Sequence, residues 1–206
     1  MMNDRFHALP EERQTLILNA AMAVFARYGY KKSSAEEIAS QADISKGLLF
    51  HYFASKKELY LYLASYAMQY LLAEMHRDYD REETDFFRML VNAQTVKIAI
   101  MNRYPDLLSF LANAYLETDP AVAPWLGAEY GDQVAQSRKI VLARADASKF
   151  KQGVSMEQTL DLILWMSDGL MRSRKDASVQ TLEAINAQYL ECLNLLRNNL
   201  YREDAL

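Results

Sequence analysis

The chain has 206 residues, a formal net charge of −4 and a pI near 5.5. That length holds one large or two small domains with a buried core, and the acidic balance excludes a histone-like coat of positive charge. Six Gly, four Pro and few β-branched residues, beside abundant Ala, Leu, Met, Glu, Gln and Lys, exclude a sheet-rich fold and predict an all-α one.

One cysteine, Cys192, excludes an internal disulfide and a cysteine-rich metal site. It falls amid Leu190, Leu193 and Leu195 and reads as a small buried hydrophobe. The opening MMNDRFHALP lacks the apolar core of a signal peptide, and no apolar run approaches the ~18 residues of a membrane span. The expected location is the cytoplasm, without membrane contact.

Residues 1 to 9 read as a mobile arm. Pro10 with Glu11 and Glu12 suits a helix start, and Ile17, Ala20, Ala21, Val24, Phe25 and Tyr28 form one apolar stripe at helical spacing. Gly29 closes that helix as a left-handed cap. Tyr30, Lys31 and Lys32 lie in the connection, within reach of a phosphate.

The most informative stretch runs from residue 33 to 59. Ser34 followed by Glu37 reads as a capping box, in which the hydroxyl takes one free amide and the carboxylate reaches back to another. A short helix to about Ala42 puts Ile38, Ala39 and Ala42 on one face. Asp43 tolerates the left-handed backbone of a tight turn, though less well than Gly. Ser45 is placed to cap a second helix carrying Lys46 and Gly47, with Leu49 and Phe53 packing back on the first. This is a helix–turn–helix whose second helix can enter a DNA major groove. Residues 27 to 57 hold six Lys/Arg against three Asp/Glu, a local +3 on a chain whose remainder sums to −7. A small basic contact face on an acidic body fits duplex DNA as partner.

Ser55 caps a long helix from Lys56 to about residue 79, with its stripe at Leu59, Tyr62, Leu63, Tyr66, Tyr70 and Leu71. The charged segment from Asp78 to Asp85 is the expected joint. Further helices are predicted at about 84–102, 105–117, 122–145, 155–173 and 178–201; Pro105 and Pro120 mark starts, and Ser155 caps the helix after Gly153. Leu160, Leu162, Ile163, Leu164, Trp165, Met166 and Leu170 occupy nearly a whole helical circumference, so that helix must be covered on two sides. In the last helix Leu182, Ile185, Tyr189, Cys192 and Leu196 are spaced three and four apart. These two helices serve either as interior helices of a monomer or as one face of a dimer.

The series of a first helix ending at Gly29, Ser33-Ser34, Ile38-Ala39, Ala42-x-Ile44-Ser45-Lys46-Gly47, Leu49-Phe50-His51-Tyr52-Phe53, Lys56 and Leu59 resembles the DNA-binding domain of the TetR family of transcriptional regulators. The resemblance covers roughly residues 11 to 60. The remaining ~146 residues resemble the family only in helical architecture. Asp43 stands where the family usually has Gly, a difference of about 1 kcal/mol at positive φ. Phe50 stands where Tyr is usual, which removes a hydroxyl that would bond a phosphate.

The resemblance implies a DNA-binding domain at 1–60 and a helical ligand-binding and dimerisation domain at 61–206. It implies a homodimeric repressor on a palindromic, inverted-repeat operator, released by a partly apolar small-molecule inducer, with no cofactor. Candidate DNA contacts are Ser33, Ser34, Lys46, Gly47, Leu48, Phe50, His51, Tyr52 and Lys56, with Lys56 the family's phosphate lysine. Ser33 and Ser34 also suit plain capping, and Leu48 also suits the core. Inducer contacts are sought among Phe87, Met101, Tyr104, Phe110, Asn113, Tyr115, Trp125, Trp165, Met166 and Asp168, most of which also suit ordinary core. Leu164, Leu182, Ile185, Tyr189, Cys192 and Leu196 are the dimerisation candidates. Against an all-α enzyme stands the lack of a Gly-rich phosphate loop, paired metal-ligand motif or nucleophile–base pair. His7, His51 and His76 are scattered and give no metal site. A helical scaffold for other proteins would leave Lys46-Gly47 and Lys56 unexplained.

Overall fold

A computed structural model describes residues 4–176 and 178–205. Among the described residues ten α-helices follow one another: α1 (Asp4–His7), α2 (Glu11–Lys32), α3 (Ala35–Gln41), α4 (Lys46–Tyr52), α5 (Lys56–Asp78), α6 (Phe86–Arg103), α7 (Pro105–Tyr115), α8 (Ala123–Arg144), α9 (Met156–Ser173) and α10 (Val179–Leu200). The fold is all-α. Extended pairing among the described residues is limited to one antiparallel bridge between Phe150 and Tyr201. No helix among them is long and apolar enough to cross a membrane.

Local chemistry explains most boundaries. Five helices begin on a serine whose hydroxyl accepts the amide three residues on: Ser34 for α3, Ser45 for α4, Ser55 for α5, Ser155 for α9 and Ser178 for α10. Each such cap is worth about 1 kcal/mol. Pro105 occupies the first turn of α7, where its missing N–H costs nothing. Pro120 falls short of α8, whose first turn instead contains Pro124. Gly29 takes φ 69° and breaks α2, and residues 30 to 32 form a separate helical turn beyond it.

Residues 4 to 9 are not the loose arm expected, while residues 1 to 3 lie outside the described residues. Phe6 on α1 is fully buried, its ring 4.9 Å from Phe53 and 5.6 Å from Tyr62. The Gln14 amide donates to the Leu9 carbonyl at 2.8 Å and ties the segment to α2. One aromatic side chain, worth roughly 2–3 kcal/mol when buried, holds an element too short to show any periodicity.

The chain forms two compact units, and they cross the boundary expected at residue 60. One comprises residues up to 72 together with 104–130; the other comprises 73–103 together with residues from 131 onward. The physical reason is long-range packing. In the first unit α7 lies along α2, the Asn113 amide donates to the Ala26 carbonyl at 2.6 Å, and Glu117 accepts from the Tyr30 N–H at 3.3 Å. Phe25, Tyr60 and Phe110 meet ring to ring in its core.

In the second unit α10 packs on α6 and α9. Phe86, Phe87, Phe150, Leu160, Ile163, Leu193 and Tyr201 form one buried cluster. Asp85, almost wholly buried, closes the amino end of α6 by accepting the Arg88 N–H at 3.0 Å. It also accepts from Lys149 at 2.8 Å and from the Tyr201 hydroxyl at 3.3 Å.

Candidate nucleic-acid interface

The turn between α3 and α4 is built as its sequence predicts. Asp43 adopts φ 51°. Around it the Ile44 N–H reaches the Ala39 carbonyl at 3.0 Å and the Asp43 N–H reaches Ser40 at 3.2 Å, the paired bonds of a Schellman closure. On the capping box the structure differs in one member. The Ser34 hydroxyl accepts from the Glu37 N–H at 3.3 Å, but it donates to the Glu36 carboxylate at 3.0 Å, so Glu36 is the acid that turns back.

Ile38, Ala42, Leu49 and Phe53 are fully buried and seat α4 against α3. The opposite face of α4 is open. Lys46, Gly47 and His51 are exposed, as is 37% of Leu48. Phe50 and Tyr52 are half-buried at the flanks. A Cβ added at Gly47 would meet nothing closer than the Ser45 hydroxyl at 3.9 Å. No neighbour within the chain therefore requires glycine there, although glycine weakens a helix by about 1 kcal/mol relative to Ala. What the missing side chain provides is room for something outside the chain.

The ionic partners on this face come from both neighbouring elements. The Lys46 ammonium donates to the Glu36 carboxylate and stands 5.9 Å over the Phe50 ring. The Lys46 hydrogen bond pulls the Glu36 carboxyl down to about 2. His51 Nδ1 lies 3.2 Å from the Arg5 guanidinium, which brings a second cation to the exposed face. Arg5 and Glu36 were not picked out from sequence. Arg5 sits 46 residues from His51, and no spacing rule connects them.

The remaining candidates are tied inward. The Ser33 hydroxyl donates to the Tyr30 carbonyl at 2.8 Å and the side chain is buried. Ser34 is the α3 cap. The Lys56 ammonium donates to the carbonyls of Tyr30 at 2.8 Å, Ser33 at 3.2 Å and Lys31 at 3.3 Å, and sits 4.9 Å over the Tyr30 ring. Three carbonyls match its three donors. Lys56 thus closes the carboxyl end of α2, and the exposed lysine at the start of α5 is Lys57.

The expected inducer contacts are divided between the two units. Phe87 lies in the aromatic cluster of the second unit, 5.0 Å from Tyr201, and Met101 is buried in the same unit. Tyr104, Phe110, Asn113, Tyr115 and Trp125 belong to the first unit. There Tyr104 meets Tyr70 and Tyr115 meets Tyr130, edge to face. Asn113 is the tie to α2 described above, and Trp125 is partly exposed. On α9, Trp165 is 70% exposed and Asp168 pairs with Arg172 one turn on at 2.8 Å; Met166 packs against the second unit's core.

The dimerisation candidates divide by face. Leu164, Tyr189 and Leu196 pack against that core and Leu182 is buried; Ile185 and Cys192 are half-buried. The apolar side chains that α9 and α10 leave open are Leu162, Trp165 and Leu195, at 53, 70 and 63% exposure. Trp165 and Leu162 are three residues apart and share one outward face. Periodicity flagged both but could not say which side of an all-apolar helix faces out.

Residues 17–63 match the family described as bacterial regulatory proteins, tetR family. The chain is 27% identical over 189 residues to the HTH-type transcriptional regulator YuxN of Bacillus subtilis, covering 90% of this chain and 56% of that protein. It is 29% identical over 137 residues to the HTH-type transcriptional repressor KstR of Mycobacterium tuberculosis, covering 66% of this chain and 60% of that protein. The chain thus spans little more than half the length of these curated relatives. Its fold matches the crystal structure of a TetR family transcriptional regulator from Chloroflexus aurantiacus, with a TM-score of 0.69 and 20% identity over 97% of this chain and 98% of that one. The helix–turn–helix, the matched segment and the shared fold agree: residues 17–63 match the DNA-binding segment of the tetR family of bacterial regulatory proteins, and the fold is similar to that of a TetR family regulator.

Proposed function

We propose that the chain is a DNA-binding transcriptional regulator: a homodimeric repressor that holds an inverted-repeat operator and releases it when a partly apolar small molecule binds. The observation that carries this is the division of α4, with Leu49 and Phe53 buried and Lys46, Gly47, Leu48 and His51 open. That face has a cation for a guanine edge or phosphate, a glycine for close approach and an apolar side chain for a thymine methyl. Phe50 and Tyr52 flank it, and His51 and Arg5 offer donors to the backbone. Ser33, Ser34 and Lys56 hold the α2–α3 corner rigid, so that the amides at the start of α3 and the exposed Lys57 meet phosphates in register. The site of action is the cytoplasm, where the operator is.

A single helix–turn–helix head reads too few base pairs to specify a site alone, and a two-fold pair reads two half-sites about 34 Å or a multiple of it apart. The open apolar face of Leu162, Trp165 and Leu195, with Ile185, Cys192 and Leu196 beside it, is the proposed dimer surface. Ligand release follows if the inducer favours a conformation in which the two heads no longer match both half-sites. The coupling is reciprocal, so operator DNA weakens inducer binding by the same factor. α5 runs unbroken from the head to Asp78 and is the mechanical path.

The test is selection from a random duplex pool at near-physiological salt. Enrichment of two half-sites in inverted repeat is the expected outcome, with Lys46→Ala lowering affinity for the selected site about tenfold while remaining folded. Failure to enrich any sequence would overturn the reading.

A further inference from the structure

Arg5 reaches the open face of α4 from α1, and α1 is held where it is by its neighbour Phe6. That ring is wholly buried, 4.9 Å from Phe53, 5.6 Å from Tyr62 and 6.3 Å from Tyr52. The Ala8 N–H donates to the Asp4 carbonyl at 3.0 Å and closes the turn around it. From α2 the Gln14 amide donates to the His7 and Leu9 carbonyls at 3.3 and 2.8 Å. Arg5 is therefore presented from a tied backbone, although its own side chain is exposed.

The guanidinium ends 3.2 Å from His51 Nδ1. A guanidinium has donors only and never gives up its proton in a protein, so Nδ1 is the acceptor. That bond requires a neutral imidazole with its proton on Nε2, across the ring. Tyr52 flanks the imidazole, its ring 5.9 Å away and inclined at 67°. The Nε2–H remains as a donor, and no acceptor among the described residues takes it. The charges differ at the two ends of the face. Lys46, at the start of α4, already meets the Glu36 carboxylate. Arg5 meets no carboxylate among the described residues, so its charge is not offset there.

We propose that Arg5 and His51 form a clamp for one DNA phosphate in each half-site, with Arg5 the positioning residue that aims His51 Nε2–H at the phosphate oxygen. An oriented donor beside an uncompensated cation suits an anionic oxygen. His51 stands in the last turn of α4, whereas base edges are met by the first residues of a recognition helix. The donors that Arg5 does not spend on His51 reach the same phosphate. The clamp thus fixes where α4 sits along the duplex without reading its sequence. It rests on the DNA-binding reading above and adds α1 to the binding surface.

The test uses the full chain and the selected duplex, with one phosphate at a time replaced by an uncharged methylphosphonate. One position in each half-site is expected to cost the wild type about tenfold in affinity, and Arg5→Ala or His51→Ala less than about twofold. Arg5→Ala should also flatten the slope of log affinity against log salt by about two for the dimer. Its selected sequence and melting temperature should not change. Arg5→Lys keeps the charge without the planar fork, so it should restore the salt slope but only part of the affinity. In the DNA-free protein, nitrogen-15 spectra of labelled histidines should show His51 Nδ1 unprotonated, with a resonance that moves in Arg5→Ala. Wild-type affinity in Arg5→Ala overturns the proposal. So does a changed sequence preference in that variant, or the lack of any phosphate felt by the wild type alone. A duplex selected with Arg5 indifferent removes the clamp and leaves the repressor, whereas no selected duplex removes both.

Discussion

Leu48 and Leu49 are adjacent and chemically identical, yet one is open on the outer face of α4 and the other is wholly enclosed. Leu49→Ala removes packed methyl groups and leaves a cavity, an expected loss of about 2–4 kcal/mol readable by thermal or urea unfolding. Leu48→Ala should change stability by no more than about 0.5 kcal/mol while lowering affinity for the selected operator. A reversed pattern would mean that α4 is rotated from the orientation described here. Glu36 gives a second contrast. Its carboxyl, held at about 2 by Lys46, stays ionised at any pH where duplex is bound, and so competes with DNA for Lys46. Glu36→Gln is expected to strengthen duplex binding at low salt, with the gain shrinking as salt rises. Capping-box spacing pointed to Glu37. The choice of Glu36 was not legible, because it depends on where Lys46 of the next helix lies.

At the scale of elements, the start of α6 shows how a loop end is locked. Burial pushes the Asp85 carboxyl up, but the hydrogen bonds from Lys149, the Arg88 N–H and Tyr201 outweigh it and leave the carboxyl below its ordinary range. Because the folded group titrates lower than the unfolded one, its stabilisation is complete above the unfolded value of about 3.9. It is lost as pH falls through the folded value. Asp85→Asn should therefore cost about 2 kcal/mol at pH 7, and its melting temperature should fall less steeply than the wild type's below pH 4. Parallel acid curves for the two proteins would remove Asp85 from this role. The helices themselves were legible from local signals, since five serine caps and the stripes between them depend on residues three and four apart. α1 was missed because four residues present no period, and a single buried Phe6 anchors it.

For the whole molecule, the open side chains of Leu162, Trp165 and Leu195 make a specific claim about assembly. Trp165→Glu places a charge where an apolar face would pair, and is expected to yield a folded monomer by sedimentation at micromolar concentration. Half-site binding should survive and cooperative operator binding should be lost. A Trp165→Glu dimer would move the interface elsewhere. The same residue had read as an inducer contact, which its exposure argues against.

What the sequence by itself determined was the set of local structures: an all-α chain, the helix boundaries, the left-handed turn at Asp43 and the split of α4 into inner and outer residues. These follow from caps, turn residues and a 3.6-residue period, all of them interactions within about one or two turns of chain. Only the tertiary structure decided that α7 lies along α2, that Lys56 closes the end of α2, that Phe6 is enclosed, and which side of α9 stays open. Each of those depends on which distant surfaces meet, and an apolar stripe states that it will be covered without stating by what.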